Sequence, residues 1–396
     1  MARKHHLLFI FVTLMYWISL YIYVPILSPY LESMHISYFY VGIVLGSYGF
    51  MQILIRLPLG ILSDRMRVRK PYILLGMITV TLSCILFAAG ADPGWALAGR
   101  AMSGVAASSW VAFTVLYAGY FAKEQTTHAM GTISFLTVAG QCAGMVASGW
   151  LAGSYGWNAA FWTGAVIGLI GLAAAFGIYE PREGVYREPI RARDLTLVMK
   201  EPALLKASVL SILAHIVLFV TMFGFTPSYA LGLGASKNDL SLVSFAFMVP
   251  HALASLYTGR WLAPRFGVWR VLLIGFALSS ICTLAIPFTR TLGTLMLTQA
   301  LNGFAQGLHL PLLMALAIRT VDQEQRATAM GFYQAVYALG MFGGPFIAGW
   351  INESFSLAGG FYFAAIAATA AVLLGFLWRR SGAAPEQLPK AGKASF

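Results

Sequence analysis

The chain has 396 residues, of which 59% are hydrophobic and 10% are charged. Soluble globular proteins carry about 25% charged residues, so this composition excludes a soluble protein and indicates a membrane protein. The formal net charge of +12 is explained in a membrane protein by basic loops and anionic lipid headgroups, and it requires no nucleic-acid partner.

Twelve long apolar stretches are predicted to be transmembrane helices, because about 20 helical residues span the hydrocarbon core of a bilayer. These predicted spans cover residues 7–31, 39–62, 71–90, 95–118, 129–152, 157–179, 205–231, 241–262, 269–289, 293–318, 328–351 and 359–378. We therefore predict an all-α integral membrane protein with 12 transmembrane helices.

Basic residues are distributed unevenly between the predicted loops. With the N terminus inside, 22 of the Lys and Arg residues fall on the cytoplasmic side, whereas Lys237 and Arg290 fall outside and Arg56 and Arg100 lie within spans. Short cytoplasmic loops carry the excess of Lys and Arg in membrane proteins. We predict a multi-pass protein of the inner or plasma membrane with both termini in the cytoplasm.

The loop between the second and third spans concentrates charge. The stretch GILSDRMRVRK (Gly60 to Lys70) places five charged residues in seven positions. Gly60 allows close approach of two backbones, and Asp64 is placed to pair with a neighbouring Arg or to lie at a helix N terminus. We predict a conformational latch on the outward-open state, formed by Gly60, Asp64, Arg65, Arg69 and Lys70. The alternative is that the basic residues only fix the topology.

An internal repeat relates the two halves of the chain. The segment Ala129–Trp150 aligns without a gap on Ala329–Trp350, and Leu62–Lys70 falls on Leu262–Arg270 at the same offset. An even number of helices per half gives both copies the same orientation, which is a parallel pseudo-twofold repeat. We predict two six-helix bundles, a cytoplasmic linker and a cytoplasmic polar tail, at residues 1–180, 205–379, 181–204 and 380–396 respectively.

On these motifs the chain resembles the major facilitator superfamily (MFS). The latch residues match the family's GxLxDRxGRK signature, except that Arg67 replaces its turn glycine, and Arg100–Gly104 resembles the RxxxG signature of helix 4. Glycines at 131, 140, 144 and 149 resemble the helix 5 signature of drug–proton antiporters, although Met145 replaces its proline and Ser148 a glycine. The resemblance implies the MFS fold and the bacterial 12-helix branch of drug or small-molecule antiporters.

Glycines recur at four- and five-residue spacing on the fifth and eleventh spans. The predicted helix-packing motif comprises Gly140, Gly144, Gly340, Gly344 and Pro345. Small residues on one helix face allow close helix packing. Whether this motif serves packing alone or also seals the interface between the halves against proton leak is left open by the sequence.

Ionisable residues inside the membrane are functional candidates, because burying them in lipid is costly. The candidates for substrate binding or proton coupling are Arg100, Arg56, Glu32, Tyr23, His215, His251 and His309. Arg100 is the leading candidate, for binding an anionic group or tuning a proton carrier. Arg56 lies one turn before Gly60, so a contact within the latch is as open an interpretation as substrate binding. For each histidine, the alternative to carrying a proton is a structural role as a hydrogen-bonding residue.

No phosphate-binding loop, HExxH, zinc-spaced cysteine pair or GxSxG motif occurs in the sequence, so we predict no enzyme activity, no cofactor and no metal. We predict a secondary active transporter, functional as a monomer, that exports a small amphipathic, neutral or anionic molecule in exchange for protons by alternating access. The proton gradient is the expected energy source. The alternative is a nutrient or organic-anion uptake symporter or facilitator on the same fold; a receptor that transports nothing is a third class.

Overall fold

A computed structural model describes residues 3–90, 92–121, 125–181, 199–321 and 325–380. The regular elements in these ranges are helices, and they form twelve spans. We label them α1 (Arg3–Glu32), α2 (Tyr38–Met66), α3 (Lys70–Ala88), α4 (Pro93–Ala118), α5 (Thr126–Tyr155), α6 (Trp157–Ala175), α7 (Pro202–Gly232), α8 (Asp239–Phe266), α9 (Val268–Ala285), α10 (Leu292–Ile318), α11 (Arg326–Ser354) and α12 (Leu357–Arg380). Most of the predicted linker and nearly all of the predicted tail lie outside the described residues.

The prediction of an all-α protein with twelve spans is confirmed. Eleven of the described helices are long and apolar enough to cross a membrane, and α11, with 29 residues, is the less apolar twelfth. The differences from the predicted spans are at helix ends. For example, α7 begins at Pro202 rather than at residue 205, because proline in the first helical turn sacrifices no intrahelical hydrogen bond.

Two spans are interrupted at corresponding positions of the two halves. In α1 the helix ends at Tyr21 and resumes at Val24, while α7 contains a π-helical turn over Thr221–Phe225. Each break directly precedes a proline, Pro25 or Pro227, which lacks an N–H and clashes with the carbonyl one turn earlier. Interrupted helices at matching positions in two repeats are typical of transporter binding sites.

The halves meet along two symmetry-related helix pairs, α2 with α11 and α5 with α8. A Cβ atom built on Gly149 would lie 2.6 Å from the carbonyl oxygen of Lys237. Its equivalent, Gly349, would place a Cβ 2.6 Å from the carbonyl oxygen of Tyr38 and 2.8 Å from Cα of Gly42. The two-hundred-residue offset of the sequence repeat is therefore also the offset of the packing contacts.

The two ends of the bundle differ in how closely the halves meet. We call the end with Arg3, Lys70 and Arg319 the basic end, and the end with Glu32 and Lys237 the opposite end. At the opposite end the halves touch through Gly149, Gly349 and a lysine over an aromatic ring: the Lys237 Nζ atom lies 4.0 Å from the ring centroid of Trp157. The halves are therefore packed together at the opposite end, whereas Gly60, nearer the basic end of α2, has no neighbour at its Cβ position.

Replacing Gly349 with alanine should open the opposite end. Its methyl group would overlap backbone atoms of α2, and overpacking of this kind costs about 1–3 kcal/mol. Since about 1.4 kcal/mol is tenfold in an equilibrium, we expect the maleimide labelling rate of a Ser228→Cys reporter, in a background whose native cysteines are alanine, to rise about tenfold. Gly343, on the same helix, has open space at its Cβ position, so Gly343→Ala is the matched control. Equal labelling rates in the two variants would show that this contact does not keep the end closed.

Candidate functional site

Arg100, the leading sequence candidate, lies in the interior of the bundle on α4 and is 2% exposed. Its guanidinium carbon is 4.4 Å from the ring centroid of Tyr48 on α2, a cation–π contact worth about 2 kcal/mol when desolvated. The Tyr48 ring also stacks on Phe219 of α7, with centroids 5.8 Å apart. Nε of Arg100 has no hydrogen-bond partner among the described residues, so this guanidinium keeps a free donor.

Arg56 joins the halves by a direct hydrogen bond. On α2, its Nη1 atom donates to the hydroxyl of Tyr337 on α11 at 3.1 Å, and its Nη2 atom donates to the carbonyl oxygen of Ala107 at 3.2 Å. The Tyr337 ring lies parallel to the imidazole of His215 on α7, with centroids 4.2 Å apart and an interplanar angle of 3°. Nε of Arg56 is unpartnered within the described ranges.

The two arginines thus form two similar stacks, Arg100–Tyr48–Phe219 and Arg56–Tyr337–His215, which we call the paired stacks. His215 and Phe219 lie one helical turn apart on α7 and their rings are 6.4 Å apart. Each stack takes its arginine from the N-terminal half and its last ring from the C-terminal half. The paired stacks therefore place two positive charges where the halves meet, beside the interruption in α7.

Neither buried arginine is neutralised by a carboxylate. Within the described parts of the chain, Arg56 and Arg100 form no ion pair. The acidic residues described lie at helix ends or in loops: Glu32, Asp64, Asp92, Glu180, Glu201, Asp239 and Glu353. An unpaired buried charge is costly.

Tyr23, another sequence candidate, is fully buried within the N-terminal half. Its hydroxyl is 3.0 Å from the Ser83 hydroxyl, which donates to the carbonyl oxygen of Gly99 at 2.7 Å. Gly99 directly precedes Arg100 in the chain. Tyr23 therefore links α1 and α3 to the turn of α4 that carries Arg100. It belongs to neither of the paired stacks.

Tyr48 and Tyr337 were missed by sequence reasoning. A neutral aromatic residue is common in membrane helices and gives no signal of its own. Each matters because it contacts an arginine on a different helix. Tyr48 of α2 lies over Arg100 of α4, and Tyr337 of α11 accepts a hydrogen bond from Arg56 of α2. The one available signal was that each lies in a span that also carries a motif residue, Gly60 or Gly340.

The predicted latch residues contact their own half. Asp64 Oδ1 pairs with Arg69 Nη2 at 2.5 Å, and Arg67 adopts the left-handed conformation with φ of 56°, so the turn forms without its usual glycine. Arg65 is exposed. The carboxylate of Glu180 accepts hydrogen bonds from the backbone N–H groups of Arg69 and, at 3.1 Å, of Lys70. Glu180 therefore caps the N terminus of α3, where the helix dipole favours an anion.

Glu180 also affects the phenol of Tyr120, which is buried at the basic end. Tyr120 donates to the carbonyl oxygen of Tyr179 at 2.5 Å. Burial, with the nearby charge of Glu180, raises the pKa of Tyr120, so the phenol stays protonated and keeps this bond. Neither role could be predicted from the sequence, since Tyr120 lies just after the fourth predicted span and Glu180 just after the sixth.

The predicted glycine motif packs within the halves. A Cβ on Gly144 would lie 2.7 Å from the carbonyl oxygen of Ile18 on α1, and one on Gly344 would lie 3.1 Å from Cα of Ile216 on α7. Gly140 and Gly340 make the equivalent contacts with α1 and α7. The remaining member of the predicted motif, Pro345, contacts the other half, because its carbonyl oxygen lies against Gly42. Gly149 and Gly349, outside the motif, also contact the other half.

The remaining candidates lie in two other places. Glu32 is half-buried at the opposite end, where Ser28 donates to its carboxylate at 3.3 Å and also lies 2.6 Å from Ser228 across the interface. His309 is fully buried inside the C-terminal half, and its neighbour His251 lies on α8. Neither histidine belongs to the paired stacks.

Asp64→Asn should reduce transport while leaving membrane insertion intact, because it leaves the Arg69 guanidinium without its anion. Removing one partner of a buried ion pair costs about 3–5 kcal/mol, and we expect transport rates per inserted protein to fall at least about tenfold. Transport is measured in proteoliposomes and insertion by fluorescence of a C-terminal tag. Asp92→Asn, the same change at an exposed helix cap of the opposite end, is the control. Wild-type rates in Asp64→Asn would exclude the latch role.

Comparison with known proteins gives a consistent result. The sequence profile described as Major Facilitator Superfamily matches residues 9–234 and 207–395. The chain is 25% identical to the tetracycline resistance protein, class C, of Escherichia coli over 315 residues, covering 77% of this chain and 78% of that protein. It is also 25% identical to the multi-drug resistance efflux pump PmrA homolog of Lactococcus lactis over 293 residues, covering 72% of each.

A solved structure shares the fold. The crystal structure of a bacterial homolog of the human lysosomal transporter Spinster, in an inward-facing and occupied conformation, superimposes with a TM-score of 0.78 at 14% identity. The match covers 96% of this chain and 98% of that one. At this level of identity, the similarity establishes the common fold.

Proposed function

This chain belongs to the Major Facilitator Superfamily, a family of membrane transporters, and on that premise we propose that it exports a small organic anion or neutral amphipathic molecule in exchange for protons. The observation that carries the proposal is the burial of Arg56 and Arg100 at the interface between the halves, with no carboxylate partner among the described residues. A cation-exporting site needs an acidic group in this position, whereas two guanidinium groups suit a carboxylate or similar anion.

Aromatic rings supply the second element of the site. Tyr48, Phe219 and Tyr337 surround the charged groups, and such rings bind the apolar body of an amphipathic molecule while a few polar groups fix its orientation. An anion that approaches Arg100 would find the free Nε donor beside the Tyr48 ring. The site therefore selects for an anionic head attached to a ring or other apolar body.

Alternating access follows from where the halves touch. The halves are closed at the opposite end, and the distribution of basic residues supports a cytoplasmic location for the basic end. In this arrangement the paired stacks face the cytoplasmic side. To release the substrate on the other side, the contacts at Gly149, Gly349 and Ser28 must break and the basic end must close. Rigid-body rocking of the two halves produces both changes.

Export is supported by the helix 5 glycines and by the relatives, one of which is described as an efflux pump. Uptake by a symporter or facilitator is the second candidate, and Met145 and Ser148, which depart from the antiporter signature, favour it. The two are separated by direction: loss of an exporter causes accumulation of its substrate, whereas loss of an uptake system prevents growth on it.

Arg100→Ala should abolish transport of anions specifically. A charge-assisted hydrogen bond contributes about 1.5–3 kcal/mol, so we expect about a 10- to 100-fold loss in the rate for anionic compounds. A labelled panel of anionic, neutral and cationic compounds is measured in proteoliposomes with and without a pH gradient. Arg265→Ala removes an exposed arginine at the basic end and should have no effect.

Two results would contradict the proposal. Cation transport by the wild type would mean that the two arginines do not define the substrate charge. Anion transport that is unchanged in Arg100→Ala would move the site elsewhere.

A further inference from the structure

Four aromatic side chains from both halves form a closed set of contacts beside Arg100. Tyr21 of α1 meets Phe223 of α7 edge to face, with ring centroids 5.6 Å apart. Phe223 contacts Phe219 at 5.4 Å, and Phe219 stacks on Tyr48 of α2 at 5.8 Å. The hydroxyl groups of Tyr48 and Tyr21 approach each other and complete the set. We call these four residues the aromatic collar.

The aromatic collar lies where both interrupted helices break. Tyr21 is the last residue before the interruption of α1, and Phe223 lies within the π-helical turn of α7. Each of the four side chains is at most 7% exposed. Because the Arg100 guanidinium lies over the Tyr48 ring, the collar is an apolar surface directly beside a buried positive charge.

Trp17 extends the aromatic collar along α1. It lies one helical turn before Tyr21, and the two ring centroids are 5.6 Å apart. Trp110 of α4 contacts the indole of Trp17 at 4.8 Å. A Cβ built on Gly140 of α5 would lie 2.6 Å from the Cβ atom of Trp17, so α5 also packs closely here. Trp17 therefore contacts α4, α5 and the collar.

Two polar groups on this face of α1 have no protein partner. Trp17 is 6% exposed, and its Nε1–H donates to no acceptor among the described residues. Thr13, one turn earlier on the same face, is 0% exposed, and its hydroxyl is likewise unpartnered in the described part of the chain. Buried indole N–H groups usually have an acceptor, so this pair indicates that a ligand supplies one.

The chemistry around Trp17 limits the ligand group that reaches it. An indole N–H donates a hydrogen bond and cannot accept one, so its partner is an acceptor such as a carbonyl oxygen. The rings of Tyr16, Tyr21 and Trp110 lie around the indole and offer no charge. A neutral acceptor on an aromatic body therefore fits, since aromatic rings also attract each other edge to face or offset.

We propose that Trp17 determines substrate specificity by donating a hydrogen bond to a neutral carbonyl oxygen of the substrate. The substrate class is then an aromatic carboxylate that carries a second acceptor on its ring system. Its carboxylate pairs with Arg100, its rings lie against the aromatic collar, and its carbonyl oxygen meets the indole. The inference rests on the proposed function, because it names the substrate class of that same site.

Binding to the full-length protein in lipid nanodiscs tests the inference with three matched probes. The probe para-benzoylbenzoate has a carboxylate and a ketone, para-benzylbenzoate has a methylene in place of the ketone, and para-methylbenzophenone has the ketone without the charge. Dissociation constants are measured by equilibrium dialysis of the radiolabelled probes and corrected with empty nanodiscs.

Trp17→Phe should weaken binding of para-benzoylbenzoate about fivefold, since it removes one neutral hydrogen bond, and should leave para-benzylbenzoate unchanged. The ratio of the two dissociation constants isolates the ketone, because a change in packing affects both probes. Trp162→Phe removes an indole of α6 that is 52% exposed and should change neither constant. Arg100→Ala should weaken both carboxylates at least about tenfold and leave para-methylbenzophenone unchanged.

The three probes separate this inference from the proposed function. If Trp17→Phe weakens the ketone and methylene carboxylates by the same factor, the inference is overturned and the anion site stands. If neither carboxylate binds the wild type, but para-methylbenzophenone binds and Trp17→Phe weakens it, the carbonyl contact stands and the proposed function fails. Failure of all three probes to bind would overturn both.

Photolabelling of the wild type tests the same contact without a variant. Under ultraviolet light the ketone of para-benzoylbenzoate adds to a neighbouring C–H bond. Mass spectrometry should then locate the adduct on the segment of α1 that contains Thr13 and Trp17. An adduct confined to other helices would overturn the inference.

Discussion

Two guanidinium groups buried between the halves, with no carboxylate partner in the part of the chain that the structure describes, are the constraint on which the rest of this structure depends. A buried guanidinium needs hydrogen-bond acceptors or an aromatic face. Arg56 finds acceptors in both halves, on Tyr337 and Ala107, whereas Arg100 finds the aromatic ring of Tyr48 on α2. Tyr48 offers its ring to Arg100, and Tyr337 offers its hydroxyl to Arg56. Among the described residues, Nε of each arginine has no hydrogen-bond partner, and in the proposed function this donor is available to an anion.

The pseudo-twofold repeat determines how the two halves pack around these buried arginines. The same glycine on equivalent helices brings the halves into backbone contact at one end, through Gly149 and Gly349. Backbone contacts of this kind are either made or broken, since a packed interface does not deform continuously. In the proposed mechanism, two bundles joined at one end have two states, and the arginines, which lie between the bundles, face a different side in each.

The halves divide the chemistry unequally. The N-terminal half contributes both buried arginines and Glu180, which caps α3. The C-terminal half contributes the rings of Phe219, His215 and Tyr337 and neutral hydrogen-bonding groups. The buried Arg56 and Arg100 belong to one half, and the buried, uncharged Gln299, Asn302 and Gln306 belong to the other. His215 joins the two contributions, because it stacks on Tyr337, to whose hydroxyl Arg56 donates.

The sequence by itself determined the membrane class, the twelve spans, the repeat and the family, because hydropathy, loop charge and recurring glycines are properties of the linear chain. It also identified Arg100, Arg56 and the histidines, since ionisable groups in apolar spans are conspicuous. Only the tertiary structure decided that Tyr48 and Tyr337 complete the paired stacks, that Gly144 packs within its half, and that Glu180 caps α3. Each of these depends on which residues from distant parts of the chain become neighbours, and the spacing of residues along one helix carries no information about the face of another helix packed against it.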